Sequence, residues 1–306
     1  DIHNVLLNHS SPLISVIIPN YNHAKFLPRA LDSVISQTFN NWEILVIDNH
    51  SSDETDEVIK PYLSEKISLL KINNDGIIGA SRNLGIKHSK GDLIAFLDSD
   101  DFWYPEKLKC CMDKLSQGYD LVCHAEVWVG PGERRRNMYY GPEARATYES
   151  LLLDGNSIST SAVVVRREWL QHVGSFSVQS EFVTAEDYDL WLKLSRNGAQ
   201  IGFVEEVLGE YLIHESNQSR AGLRNAQAVM AVFENHRTVL EGSVPPARLR
   251  RREALILYGG GRALQNIGHY WQAWPHFFKA VLRYPWVPRF YVAILFNALG
   301  LHRAIP

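Results

Sequence analysis

Leu93-Ile94-Ala95-Phe96-Leu97-Asp98-Ser99-Asp100-Asp101 carries both the architecture and the chemistry of this chain. The short apolar run reads as a buried strand. The three carboxylates after it repel one another, which costs free energy unless a cation sits among them. Beyond a buried strand they make a hard-oxygen site suited to Mg2+ or Mn2+, ions that commonly bind substrate phosphates too. The bland alternative is a solvated acidic turn before a helix with Pro105 and Glu106 in its first turn.

Upstream, strands and helices alternate. Leu13-Ile14-Ser15-Val16-Ile17-Ile18 is an apolar, β-branched run that Pro19 stops. Residues 25–38 set Leu27, Leu31, Val34 and Ile35 at helical spacing, with Pro28 tolerated in the first turn. Residues 42–48 (WEILVID) form a second buried strand, and Ser51-Ser52-Asp53-Glu54 has the pattern of a capping box opening a helix. A third strand spans 67–72 and a short helix 79–88. Connections of this length permit crossovers, so a parallel α/β sheet is predicted. Ligands of such sheets bind beyond the carboxyl ends of the strands. Three polar clusters stand there: Pro19-Asn20-Tyr21-Asn22, Asp48-Asn49 and Asp98 to Asp101.

Downstream the pattern is less regular. Strands are predicted over 119–129, 159–165, 201–204 and 207–214, and a helix over 186–196 that Asn197-Gly198 ends. Residues 130–141 (GPGERRRNMYYG) read as a mobile basic loop carrying Arg134, Arg135 and Arg136. From about Gly222 every periodic segment is helical, with Gly259-Gly260-Gly261-Arg262 read as an interruption.

Several residues admit a chemical and a structural reading. Asp48 is either a strand-end turn residue or an acceptor for a nucleobase N–H, on which Tyr21 could stack. The stretch from Asn74 to Asn83, with Asp75 and Arg82, is an ordinary capped turn or a phosphate-binding helix start. It is neither GxGxxG nor a P-loop. Thr184-Ala185-Glu186-Asp187-Tyr188-Asp189-Leu190-Trp191 reads as a capping-box helix start with Thr184 as N-cap, or as a site mouth with Asp187 as general base. His214, after a strand and before a polar loop, is structural or a ligand of metal or phosphate.

Taken in order, these elements resemble family 2 glycosyltransferases of the GT-A fold. The matching pieces are Val16 to Asn22, Val46 to Thr55, Gly79 to Asn83, Phe96 to Asp101, Glu186-Asp187 with Trp191, and Tyr211 to Ser219. The resemblance covers roughly residues 12–220 and implies an α/β GT-A domain, with nucleotide-sugar-binding half 12–118 and acceptor-side half 119–220. Residues 1–11 are then a leader and 221–306 a helical extension. It implies an inverting transferase that uses Mn2+ or Mg2+ and moves a sugar from a nucleotide-diphosphate donor to a glycan or lipid-linked glycan hydroxyl. By the family pattern, Asp98-Ser99-Asp100 is the DXD motif, Asp100 binds the metal, and Asp98 lies near the donor ribose or sugar. Pro19, Tyr21 and Asp48 hold the base, Asp75 and Arg82 serve the donor, Asp187 is the base, and His214 completes the metal or diphosphate site. Glu186, Trp191 and Arg134–Arg136 fall on the acceptor side. Asn20 stands where Thr is common, and Asn49-His50 replaces a frequent Asp-Gly; uridine is the expected base.

Charge and composition bound the remaining classes. The 306 residues carry 31 basic and 34 acidic side chains. From Ser243 onward nine basic residues face one acid, Glu253, a net +8 that leaves −11 on the rest. The tail alternates these cations with Trp271, Trp274, Phe278, Trp286 and other apolar residues. Two readings stand side by side: a helical cap packed on the catalytic domain or a second subunit, or interfacial helices on an anionic membrane. Nucleic acid is not expected, because the basic residues lie away from any aromatic recognition motif. Three cysteines without CxxC spacing exclude structural zinc and a disulfide scaffold, and point to a reducing cytosol. No signal peptide is expected at the N-terminus, and the longest apolar run, 290–301, is about half of the ~20 residues a spanning helix needs. The expected setting is cytoplasmic, with peripheral attachment to the inner face of the plasma membrane as one form. A haloacid-dehalogenase-type phosphatase also ends a strand in Asp-x-Asp, but that pattern wants Thr or Val where Phe102 stands. A catalytically inactive sugar-nucleotide or glycan-binding protein is the second alternative.

Overall fold

The computed structural model describes residues 12–214 and 222–301. The expected leader, the 215–219 part of the Tyr211–Ser219 motif, and Arg303 lie outside the described residues. The chain forms two compact units. One comprises the chain through Tyr140, Ser159–Ser175 and Ala199–Leu212; the other comprises Gly141–Ile158, Phe176–Gly198 and the chain from Ile213.

The first unit is built on a nine-stranded sheet. In chain order it contains β1 (Ile14–Asn20), α1 (Leu27–Ile35), β2 (Trp42–Asp48), α2 (Thr55–Ile59), β3 (Ile67–Lys71), α3 (Ile78–His88), β4 (Leu93–Phe96), β5 (Phe102–Trp103), α4 (Lys107–Leu115), β6 (Leu121–Val129) and β7 (Arg135–Met138). After α5 (Tyr148–Asp154), which belongs to the second unit, it adds β8 (Val163–Arg166), α6 (Arg167–His172) and, after α7 (Glu186–Arg196) of the second unit, β9 (Ile201–Leu212).

The strand order is β3-β2-β1-β4-β8-β6-β9-β5, with β7 beside β6. The half from β3 to β4 is parallel, as the crossover helices require. β8 runs antiparallel to both β4 and β6, and β9 returns parallel to β6. Ile14, Val16, Ile17 and Ile18 of β1 are all buried, the pattern of a strand covered on both faces. Leu27, Ala30, Leu31 and Val34 of α1 pack into the same core. Each large side chain so buried contributes roughly 1.5–3 kcal/mol.

Three local expectations are corrected. The 130–141 loop contains β7, which pairs antiparallel with β6 from Glu126↔Met138 to Val129↔Arg135. The exposed segment Arg-Arg-Asn-Met carries no apolar alternation, so only its backbone pairing makes it a strand. The two strands predicted at 201–204 and 207–214 are one, β9, with register irregularities opposite His124 and Ala125. The capping box at 51–54 does not open α2: Glu54 is the N-cap without a side-chain bond, because Ser51 is bonded to Asp48 instead.

The described helices of the second unit end with α8 (Gly222–Arg237), α9 (Pro246–Asn266), α10 (Tyr270–Arg283) and α11 (Pro288–Ala298). The glycine triplet at 259–261 does not interrupt α9, which runs through it. Its role is close approach: a Cβ on Gly261 would lie 2.7 Å from the Phe277 ring, and one on Gly260 3.0 Å from His276. Gln265 of α9 donates to the Ala293 carbonyl (3.0 Å) and Asn297 of α11 to the Tyr270 carbonyl (3.0 Å), pinning the three helices together. Among the described residues no helix is long and apolar enough to cross a membrane.

Candidate functional site

Sheet register builds the first half of the site. Asn20 is paired with Asp48, and Asp48 with Lys71, across the carboxyl ends of β1, β2 and β3. The Asp48 side chain is wholly out of solvent. One of its oxygens accepts from Asn20 Nδ2 (2.9 Å) and Ser51 Oγ (2.5 Å), and the other from Ser51 N–H (3.0 Å) and Lys71 Nζ (3.1 Å). Its four acceptor positions are thus taken. Burial alone would raise its pKa, but the Ser51, Asn20 and Lys71 bonds outweigh that and hold it below the usual carboxylate range. Lys71 also pairs with Asp56. The loops here turn through left-handed residues at Asn22, His50 and Asp75 (φ 53, 49 and 49°), and Asn tolerates that region well. Pro19 is buried, whereas Tyr21 and Asp75 are exposed at the rim.

The second half is the acidic turn after β4, and its carboxylates have separate partners. Asp98 accepts from the buried Arg82 (2.8 Å). Asp98 N–H donates to Ser161 Oγ (3.1 Å), and Ser161 Oγ–H donates to Asp101 (2.6 Å). The other Asp101 oxygen accepts Leu212 N–H at the end of β9 (3.0 Å). Burial first, then the charges of Asp100, Asp98 and Glu126, push the Asp101 carboxyl well above its usual range. Ser99 Oγ lies 2.9 Å from His23 Nδ1. Asp100, nearly buried, and His23 offer ligand atoms within 4.8 Å of each other. The Asp100 carboxylate suits Mn2+ or Mg2+, and the His23 imidazole is a ligand that Mn2+ accepts more readily than Mg2+, so these residues fit the metal that the sequence implies, Mn2+ better than Mg2+. His214, half-buried, lies two residues past the end of β9.

Sequence reading missed Glu126, Lys107 and Glu210 in the same unit. Buried Glu126 accepts from Tyr140 (2.7 Å), and burial raises it to about 7 against the lowering effect of that bond. Lys107 lies 3.5 Å from the centroid of the Trp103 ring, and burial lowers its pKa to about 8. Arg29 and Arg135 both pair with Glu210, which also accepts from Tyr104 (3.0 Å). Arg134, Arg135 and Arg136 are all exposed, and Arg135 is held by its ion pair with Glu210. His23 had one legible signal, its place just past a strand end. Nothing local marks Ser161 or Glu126.

In the second unit, α7 begins at Glu186 with Ala185 as N-cap, so the Thr184 capping box is not formed. Thr184 instead adopts φ 86°, costly for a β-branched residue, and its N–H donates to the Glu186 carboxylate (2.9 Å). Asp187 accepts Tyr188 N–H (2.7 Å). Trp191 is fully buried among the core residues of the unit. Asp189, on the same helix, bonds His236 (2.9 Å) and Lys193 (3.0 Å).

Comparison with known proteins converges on one family. The profile of glycosyl transferase family 2 matches residues 15–174, just over half of the chain. An uncharacterised glycosyltransferase of Rickettsia prowazekii is 31% identical over 233 residues, 72% of this chain and 70% of that one. The Escherichia coli UDP-Glc:α-D-GlcNAc-diphosphoundecaprenol β-1,3-glucosyltransferase WfgD is 33% identical over 187 residues, 60% of this chain and 70% of that one. Among solved structures, Staphylococcus aureus TarS 1–349 with UDP-GlcNAc has a TM-score of 0.64 at 19% identity, covering 94% of this chain and 89% of that one. The Pyrobaculum calidifontis mannosyltransferase PcManGT, in complex with GDP-Man and Mn2+, has a TM-score of 0.61 at 19% identity, with coverage of 95% and 81%. The fold is GT-A with a helical C-terminal region, and the chain belongs to glycosyl transferase family 2.

Proposed function

We propose that the chain is a metal-dependent, inverting glycosyltransferase that moves a sugar from a UDP-sugar to a hydroxyl of a glycan or lipid-linked glycan in bacterial surface-glycan synthesis. The observation that carries this reading is the acidic turn after β4, with Asp100 beside His23 and Asp98 bound to Arg82. The named activity of WfgD and the UDP-GlcNAc held by TarS support the choice of donor and acceptor class.

Asp98-Ser99-Asp100 acts as the DXD motif. Asp100 and His23 would hold Mn2+ or Mg2+, and the family order of motifs adds His214 to the metal or diphosphate. Bound there, the ion supplies Lewis-acid stabilisation of the charge on the leaving diphosphate. Arg82 sets the orientation of Asp98 toward the donor ribose or sugar, and Asp75 lines the donor side. Tyr21 stacks on the uracil, while Pro19 and Asp48 shape its pocket through Asn20, Ser51 and Lys71. The acceptor oxygen bonds to the anomeric carbon from the face opposite the diphosphate, inverting it. The C–O bond to the diphosphate breaks with its electron pair, and the acceptor proton passes to the Asp187 carboxylate. General-base help of this kind typically gives 10²–10⁴-fold. Glu186 and Trp191 fix α7 on the acceptor side, and Arg134–Arg136 line the acceptor approach. Residues 12–118 are the donor half, 119–220 the acceptor half and 221–306 a helical extension; the setting is the cytoplasmic face of the membrane.

A donor screen tests this: each nucleotide sugar with Mn2+, scored for released nucleotide, with Asp100→Ala and Asp187→Asn as controls. UDP-sugar turnover lost in both variants is expected. Full transfer by Asp187→Asn removes the assignment of the base, and UDP binding without turnover of any donor favours the inactive binding protein.

A further inference from the structure

Helix α10 carries two apolar stripes. One faces the protein and buries Ala273, Phe277 and Ala280 against α9 and α11. The other, Trp271, Phe278 and Leu282 with half-buried Trp274, also recurs at helical spacing and faces solvent: Trp271 and Leu282 are each 85% exposed. Trp274 and Phe278 stack with centroids 5.3 Å apart. α11 repeats the arrangement, burying Phe290, Ala293 and Asn297 while Tyr291, Leu295 and Leu299 face outward. Trp286, between the two helices, is 79% exposed. Single exposed apolar residues need no explanation, but a run of large ones on consecutive helices marks an interaction surface.

Charge decides what the surface meets. No acidic residue follows Glu253, whereas Lys279, Arg283 and Arg289 lie among the exposed apolar residues. Lys279 and Arg283 each follow a stripe residue, Phe278 and Leu282, and so flank the stripe. Arg283 is steadied by Glu253 (2.6 Å) and Arg289 by the Tyr258 ring (5.3 Å to its centroid). Trp and Tyr favour the level of lipid headgroups, and cations beside them favour phosphate. A second copy of the chain is a poor match, because two-fold pairing of this surface would offer Lys279, Arg283 and Arg289 no acid beyond Glu253, which already holds Arg283.

We propose that α10, residues 284–287 and α11 form a docking surface that lies in the interface of a bilayer containing anionic phospholipid. Trp271, Phe278, Leu282, Trp286 and Leu295 enter the acyl boundary, and Lys279 meets the phosphates. This deepens the membrane setting proposed above, but it rests on surface chemistry that takes no part in donor turnover.

Flotation of the full chain with vesicles tests it, comparing phosphatidylcholine alone with roughly 30 mol % phosphatidylglycerol. Binding to the anionic vesicles at least ten-fold above the neutral ones is expected. The triple variant Trp271→Glu, Phe278→Glu, Leu282→Glu should lose that binding, and Lys279→Ala should weaken it about five-fold. These residues are exposed, so the variants should keep the parent melting temperature and the same nucleotide release from soluble donor. Binding to neither vesicle, or equally to both, overturns the proposal. So does a stable dimer in sedimentation velocity that the triple variant dissolves while vesicle binding is absent, which would assign the surface to a second copy. The assay contains no donor, so its failure leaves the transferase reading standing, and loss of transfer activity leaves this one.

Discussion

Replacing Asp48 by Asn changes one oxygen to an NH2 group at a site with no solvent to accommodate it. Either orientation of the amide sets that NH2 against two donors. On one side they are Asn20 Nδ2 and Ser51 Oγ, and on the other Ser51 N–H and Lys71 Nζ. Each buried donor left without its acceptor costs about 1–3 kcal/mol. Lys71 is partly solvated and keeps Asp56, so its share is discounted to about zero. The amide takes the cheaper orientation, NH2 toward Ser51 N–H and Lys71, so one buried donor is left and the net expectation is about 2 kcal/mol, which lowers the melting transition of the sheet-bearing unit by about 4–8 °C. The pH dependence sharpens the test. Asp48 titrates below its ordinary 3.8 in the folded chain, so its contribution is complete above that value and disappears as pH falls through the folded pKa. Asp48→Asn should therefore be less stable at neutral pH and show a shallower acid loss. Differential scanning calorimetry across the range pH 3–7 reads both quantities. A variant within about 0.5 kcal/mol of the parent at neutral pH, or one with the parent's full acid loss, would refute the argument that the four-donor cage stabilises the carboxylate.

Asp189→Asn should likewise flatten acid unfolding, in the second unit. Burial raises the Asp189 pKa, but His236 and Lys193 pull it below the ordinary 3.8, so its stabilisation is present above that pH and lost beneath the folded value; thermal melts at neutral and acid pH check it. Gly91→Ala should destabilise by about 1–3 kcal/mol or more, because its Cβ would meet Leu13 O at 2.5 Å and Ser15 N at 2.8 Å, backbone atoms that cannot step aside; the melting temperature reads it. Chelation with EDTA should abolish nucleotide release and added Mn2+ restore it, with turnover in the presence of excess chelator as the contrary result. Arg82→Ala should weaken donor use at least ten-fold while leaving the secondary structure intact, as judged by KM for the nucleotide sugar and circular dichroism.

The parallel half of the sheet is legible because β1, β2 and β4 are mostly apolar and each ends in a polar cluster. WEILVID became β2 with its bounds unchanged, and Asp48, Asp98 and Asp100 were named from those ends. What stayed hidden depends on register or on distant partners. Lys71 closes the row begun by Asn20 and Asp48 only because β1, β2 and β3 align in that frame. Ser161 reaches Asp101 from 60 residues away. β7 was hidden because its strand character comes from pairing with β6, and the run through Gly259–Gly261 because a glycine is read as a breaker until the Phe277 ring it admits is known. At 184–187, propensity favours a Thr cap, but Ala185 is the N-cap with no side-chain bond, and the Glu186 carboxylate takes the Thr184 N–H just outside the helix.

The acidic turn shows how the demand for a cation is shared. From sequence, Asp98, Asp100 and Asp101 are three equivalent charges whose repulsion asks for a metal. In the fold, Arg82 already answers Asp98 with a buried guanidinium, and Asp101 is held by Ser161 and Leu212 N–H. Asp101 is thus a positioning residue that ties the turn to the end of β9, whereas Asp100 offers a ligand atom within 4.8 Å of one on His23. On this division, Asp101→Asn should shift the melting temperature and the KM for donor while Mn2+ dependence persists, whereas Asp100→Asn should remove the Mn2+ dependence together with turnover at an unchanged melting temperature. If both variants lose the metal response equally, the carboxylates act as one cluster and the division of labour is wrong.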